Sequence, residues 1–237
     1  MKILCVSDEI DPLVYSAAIK ERFSDVALIL CAGDLPLDYL DFIASSLNKP
    51  LLHVYGNHHA PDRERAVFLE PQELDPEPDA APVAGHVGSR VCVEEGLIVA
   101  GLGGSMRYNA GPNQFTEFDM WLEIFKLIPR LLLNRLFRGR FLDVLLTHAP
   151  PCGIHDRRDL CHRGFKAFLW FMRRFQPRYL VHGHIHLYDQ GEARRTRWLG
   201  TDVINAFGHY IIDIEADNEA DEREGKNARK RRRRNTF

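Results

Sequence analysis

The stretch Val26–Asp34, "VALILCAGD", is an apolar run closed by glycine and aspartate. Seven apolar residues with Val, Ile and Leu prominent predict a strand buried on both faces. The Gly33-Asp34 ending then puts a carboxylate at the strand's carboxyl end. Reading outward, "KILCVS" precedes it and "PLLHVYG" follows it. "SAAIKERF" lies in the first gap with helical composition, and "LDYLDFIASSL" in the second with helical spacing. The order βαβαβ implies parallel strands with helices covering the sheet.

The rest of the chain continues in kind. "SRVCVEEGLIVAGLGG" predicts a hairpin turning at Glu95-Gly96. "FLDVLLTHAPP", "PRYLVHGHIH" and "DVINAFGHYIIDIE" supply later strands, with "HRGFKAFLWFMRRF" as a helix between two of them. "PQELDPEPDAAP", Pro71 to Pro82, reads as a surface loop. No internal repeat is present. From 216 to 237 the chain is acidic and then basic, with almost no apolar residues, so this tail is expected to be disordered. Its run Arg229–Arg234 is a weak candidate for nucleic acid or another acidic surface.

Composition bounds the function classes. The 237 residues suffice for one large domain, and a net charge of −2 gives no global attraction to nucleic acid or membrane. The five cysteines form no CxxC pair, which with the absence of a signal-like N-terminus suggests reduced thiols in a cytoplasmic protein. "FDMWLEIFKLIPRLLLNRLFRGRF", Phe118 to Phe141, is interrupted by Glu123, Lys126, Arg130 and Arg135, so no transmembrane segment is expected. Trp121, Leu122, Phe125 and Ile128 have the spacing of an amphipathic helix packed on the body, with membrane-surface docking as the alternative. Pro129 should break it, a second helix resuming over Leu131–Phe137.

The chemistry-bearing residues stand at strand ends: Asp8, Asp34, Asn57-His58-His59, His148, and His184-Ile185-His186. Ligands of open α/β sheets gather at the carboxyl ends of strands. Imidazole with carboxylate suits Zn, Mn, Fe or Ni. Singly, each motif has an ordinary structural explanation; their joint order does not.

The series Asp8, Gly33-Asp34, Gly56-Asn57-His58, His148 and Gly183-His184-Ile185-His186 resembles the calcineurin-like metallophosphoesterase superfamily over residues 1–215. The resemblance implies a four-layered αββα sandwich with a two-metal site at the strand ends. It implies that Asp34 bridges two divalent ions, with Asp8 and His186 at the first and Asn57, His148 and His184 at the second. His58 becomes the non-ligand histidine acting on the leaving group. The expected activity is phosphodiesterase rather than protein phosphatase, since little chain remains for a peptide-docking domain. The alternatives are a nuclease, a lipid-linked pyrophosphatase, or a non-catalytic metal-binding or interaction module on the same fold.

Two positions depart from the family pattern. Ile10 stands where a histidine ligand is usual, and His59 where an acid usually orients the catalytic histidine. Glu9 or Asp11 is one candidate to replace the missing ligand; a weak or water-filled first site is the other. Arg157, Arg158, His155 and His162 in one loop, and Arg107, Tyr108 and Asn109 in another, are candidates for substrate contact. His53 and His86 read as structural, and His209 as undecided.

Overall fold

The computed structural model describes residues 1–58, 85–189 and 191–221. Two large sheets face each other. The first has the order β13-β1-β2-β3-β4, with β1 Lys2–Ser7, β2 Val26–Cys31, β3 Leu51–His53, β4 Gly85–His86 and β13 Gly208–Asp213. The second has the order β11-β12-β10-β9-β6-β5, with β5 Val91–Glu94, β6 Leu97–Leu102, β9 Val144–Thr147, β10 Tyr179–His182, β11 Arg195–Trp198 and β12 Thr201–Asn205. β1, β2 and β3 run parallel, as do β6, β9, β10 and β12. A small two-stranded sheet pairs β7 (Ser105–Met106) with β8 (Gln114–Phe115).

Strand alternation explains the layering. Ile3 and Cys5 of β1 face the second sheet, in one cluster with Val144 and Leu146 of β9 and Tyr179 and Val181 of β10. Leu4 and Val6 face the opposite way, onto helices α1 (Ile19–Arg22) and α2 (Leu37–Leu47). On the second sheet Leu145 and Leu180 point outward onto α3 (Glu117–Arg138) and α4 (Lys166–Phe175). Both faces of every central strand are therefore apolar, and the layers run helix, sheet, sheet, helix. The hairpin turn at Glu95-Gly96 falls where the sequence placed it, with both residues at positive φ (49° and 78°).

Four expectations are corrected. The first helix is a single turn. Pro129 does not divide α3, which is continuous over 22 residues. The proline lies on the exposed side, where the carbonyl it leaves unbonded can meet water, while Met120, Ile124, Leu127 and Leu131 pack continuously on the other. Leu122 and Phe125, read as packing residues, are exposed; Trp121 and Ile128 lie half-buried against the core. Finally, the charged tail is ordered at its start: 214–221 is helical. Asp217 accepts from Tyr179 Oη at 2.8 Å and pairs with Arg195 at 2.9 Å, while Asp221 pairs with Arg197 at 3.0 Å. These partners come from β10 and β11, which the composition of the tail does not reveal. Residues 59–84, with His59 and the loop Pro71–Pro82, and 222–237, with Arg229–Arg234, lie outside the described residues.

His182 ends β10 fully buried, with Nδ1 bonded to Gly183 O at 2.9 Å and Nε2 facing His155 Nδ1 at 2.9 Å. Burial, reinforced by His155, pushes its pKa down to about 3. The unfolded chain takes up this proton below about pH 6.5, whereas the folded chain does not until about 3. Stability is thus unaffected above that window and falls with pH within it, by up to about 1.4 kcal/mol per pH unit from this group. In the metal-free protein, denaturant titrations between neutral pH and about pH 4 should show a shallower pH dependence for His182→Asn than for wild type. Equal slopes would exclude His182 as a source of acid sensitivity.

Candidate metal centre

Five strand ends converge, and they come from both sheets. Asp8 follows β1, Asp34 follows β2, and Asn57-His58 follows β3, all on the first sheet. His148 follows β9 and His184 follows β10 on the second. Three of these residues leave their strands in the left-handed region: Asp8 at φ 63°, Asp34 at φ 55° and His184 at φ 66°. Non-glycine residues avoid that region, and such strain persists where surrounding structure fixes it, characteristically at functional sites. Glycine permits the close approach. A Cβ on Gly56 would collide with the Asp34 carboxylate and with His148 Cε1 (2.6 Å), and one on Gly183 with Ser7 Oγ and the Asp8 carboxylate.

The candidate ligands are held by their surroundings, and Asp8, Asp34 and His148 turn a polar atom toward one another. His148 is fully buried, and its Nδ1 donates to Ala32 O at 2.8 Å. Its Nε2 then faces Asn57 Oδ1 at 3.0 Å and Asp34 Oδ2 at 3.2 Å. The Asn57 amide donates through Nδ2 to Tyr108 Oη at 3.0 Å, which turns its oxygen toward the centre. Asp34 Oδ1 accepts from His58 N at 3.0 Å. Asp8 Oδ2 accepts from Ser7 Oγ and from His184 N (2.8 Å), while Oδ1 lies 3.8 Å from His186 Nε2. His184 donates Nε2 to Cys161 O at 2.7 Å, and His186 bonds through Nδ1 to Tyr188 Oη at 2.8 Å. Metal-binding histidines commonly have the second ring nitrogen fixed in this way.

The donor set fits divalent cations. With Nδ1 protonated, a neutral His148 turns a lone pair toward two oxygen acceptors, an arrangement that needs a proton or a cation between them. Asp8, Asp34 and His148 offer ligand atoms all within 4.8 Å of one another. Burial opposes charge on His148, but the Asp34 carboxylate overcomes it and raises its pKa. Burial also disfavours charge on Asp34, yet bonding to His148 holds its carboxyl below the usual range. At Asp8 burial prevails and the pKa rises. Burial and nearby His148 push His184 down to about 3, so its imidazole is neutral and available as a ligand near neutral pH.

Neither acid beside Asp8 joins this cluster. Asp11 Oδ2 is 2.5 Å from His209 Nδ1, and Oδ1 accepts from Leu13 N at 2.8 Å. Glu9 is exposed, and Ile10 is 43% exposed. The acidic crowding of Asp8–Asp11 therefore has two separate causes: Asp8 faces the centre and Asp11 holds His209. Of the loop candidates, Tyr108 reaches Asn57. Arg107 instead bonds Gln114 O and Asp119, and Asn109 accepts from Gln114 Nε2 at 2.5 Å and Gly111 N at 2.7 Å. Arg157 donates to His186 O at 2.8 Å, and the His162 ring lies 5.4 Å from that of His184. His155 bonds His182 and Thr196, while His86 stacks on Tyr55 and His53 meets the same ring edge-on. Sequence reasoning missed Tyr188 and Phe207. The Phe207 ring stacks on His186 at 5.0 Å from the junction of β12 and β13, a position with no motif to mark it.

The described residues contain no helix long and apolar enough to cross a membrane. No curated protein matches the chain significantly. Among solved structures, TT1561 of Thermus thermophilus is 16% identical with a TM-score of 0.62, the match covering 91% of this chain and 95% of that one. GAP50, described as the anchor in the inner membrane complex of Plasmodium, is 12% identical with a TM-score of 0.51, covering 86% and 70% respectively. At such identities these matches speak for the fold. The calcineurin-like phosphoesterase model matches residues 1–188, the span that contains every strand-end residue above. With that span and this donor set, the chain belongs to the calcineurin-like phosphoesterase family, whose general chemistry is metal-dependent hydrolysis of phosphate esters.

Proposed function

We propose that the chain is a phosphodiesterase that uses two divalent ions and takes His58 as general acid. The observation that carries this reading is the approach of His148 Nε2 to Asn57 Oδ1 and Asp34 Oδ2 at 3.0 and 3.2 Å, a site shaped for a cation. When ions are bound, Asp34 would be shared between the two, Asp8 and His186 would hold the first, and Asn57, His148 and His184 the second. When bound, such a pair neutralises phosphoryl oxygens and acidifies the attacking water.

The protein's own groups supply the rest. His58 follows the ligand Asn57 and is exposed at the site's mouth, with its backbone tied to Asp34. From there its imidazole can protonate the departing oxygen. Tyr108 and Tyr188 keep Asn57 and His186 turned inward, and Tyr108 also places a hydroxyl within reach of a bound ester. His186 has Phe207 against one face, which limits its rotation. The residues that would hold the first ion are Asp8, Asp34 and His186; Ile10 offers no ligand and Asp11 is engaged by His209, so water would complete that site.

Hydrolysis of bis-p-nitrophenyl phosphate should be abolished by chelation and restored by Mn. Asp34→Ala should lose both metal content and turnover, because one carboxylate serves two ions. Undiminished turnover in metal-free protein would overturn the mechanism.

His58→Ala should leave metal content near wild type while slowing esters with poor leaving groups by roughly 10²–10⁴. With p-nitrophenolate as leaving group the loss should be much smaller. Equal losses on both substrates would remove His58 from the acid role.

Ile10→His tests whether the turn after β1 can bring residue 10 to the first site. With residue 10 turned to solvent, metal affinity measured by calorimetry should stay at the wild-type value. Tighter binding, with a higher rate at limiting metal, would overturn this reading of the turn.

A further inference from the structure

We propose that the outward face of α3 is a docking surface for an anionic phospholipid bilayer, which the helix meets lying flat. This inference is independent of the catalytic reading. The helix is apolar on two opposite sides. Met120, Ile124, Leu127 and Leu131 are buried against the second sheet. Phe118, Leu122, Phe125, Leu132 and Leu136 recur mostly at three- and four-residue steps, and at about 100° per residue their mean direction is opposite to the buried set. Phe118 is 69% exposed, Leu136 73% and Phe137, beside them at the last turn, 78%. An apolar stripe about 27 Å long thus stays in solvent on a 22-residue helix. Isolated exposed apolar residues need no explanation, but a continuous stripe marks an interaction surface.

Charge selects the occupant. All three acids of α3 are occupied on the protein side: Glu117 accepts from Lys166 N and Ala167 N, Asp119 closes the N-terminal capping box, and Glu123 takes Ser89 and Lys126. Arg130 and Arg138 make no ion pair with any described residue. Arg135 and, from neighbouring α4, Arg174 extend the basic zone over Phe141. Apolar residues bordered by arginine are the composition of helices that lie in the plane of an acidic bilayer. A second copy seated on the same face would bring arginine against arginine. The helix is too charged to cross the bilayer, so it rests on the surface.

The test is flotation of the full chain with phosphatidylcholine vesicles, with and without phosphatidylglycerol. Wild type should float with the acidic vesicles, less so at high salt, and not with phosphatidylcholine alone. A Leu132→Ser/Leu136→Ser/Phe137→Ser variant, altered only at exposed positions, should keep its thermal midpoint and lose about tenfold or more in partitioning. Arg130→Gln/Arg138→Gln should lose roughly tenfold or more through the charge contribution alone. Because Arg229–Arg234 is itself basic, a full-length variant with Arg231–Arg234 changed to glutamine runs in parallel. Failure of wild type to float, full binding by the serine variant, or loss confined to the tail variant each overturns the proposal. So does a wild-type dimer in sedimentation velocity that the serine variant dissociates, which would make the face a self-interface.

Discussion

Asp8, Asp34 and the lone pair of His148 are held where they repel one another unless a positive charge lies between them. Most of the unusual local structure is the means of holding them there. Asp8, Asp34 and His184 all adopt the left-handed backbone, turning their side chains back over the strand ends. Gly56 and Gly183 remove the Cβ atoms that would keep the carboxylates apart. Ala32 O, Cys161 O and the Tyr188 hydroxyl each fix one ring nitrogen of a histidine, and at His148 and His186 the other nitrogen faces Asp34 and Asp8 respectively. Without a cation the arrangement costs free energy in desolvated charge, and the raised pKa of Asp8 expresses that cost. The two-sheet body supplies the rigidity that makes the strain tolerable, because Asp8, Asp34 and His148 each follow a strand buried on both faces.

The parts of this arrangement that depend on residues close in sequence were legible beforehand. Strand composition located β1, β2, β9 and β10, and the polar endings of β1, β2 and β9 located Asp8, Asp34 and His148, whose ligand atoms lie within 4.8 Å of one another. The hairpin at Glu95-Gly96 followed from a glycine-bearing break between two adjacent strand patterns. What escaped detection depends on distant parts of the chain. "DVINAFGHYIIDIE" reads as one apolar stretch, yet it forms β12 in one sheet and β13 in the other. The crossover places Phe207 against His186. Pro129 was expected to end a helix on local grounds, and packing along the opposite face carries the helix past it. The carbonyl of Cys161 is backbone, and no side-chain motif can announce it.

The pairing of Asp11 with His209 corrects a chemically reasonable inference. Adjacent carboxylates next to a metal ligand suggest a shared ion, but Asp11 lies past a turn and meets β13, the antiparallel neighbour of β1. Its contact ties the loop after β1 to the edge of the first sheet. Burial and this histidine act on the carboxyl in opposite senses, and the histidine prevails, with a pKa below the usual range. The loop is thus fixed in a way that leaves Ile10 outward and Asp8 inward. Which acid faces the cluster with Asp34 and His148 is consequently decided by the fold of the turn rather than by the number of acids in it.

The segment from Gly103 to Thr116 connects the centre to α3. Tyr108 holds Asn57, and Asn113 Nδ2 donates to Gly56 O at 3.0 Å, so both contacts reach the same ligand-bearing turn. The segment then ends in the capping box of Thr116 and Asp119, which starts the helix. Glu117 in the first turn of α3 in turn caps α4 through two backbone N–H groups. The N-terminal end of α3 is therefore fixed relative to the ligand-bearing turn by hydrogen bonds, while its far end carries most of the exposed arginine and leucine. A surface that binds the length of this helix would hold the metal centre at one defined end of the contact. The chemistry at the strand ends and the apolar face of the helix are then parts of one geometry, joined through a loop of fourteen residues (Gly103 to Thr116).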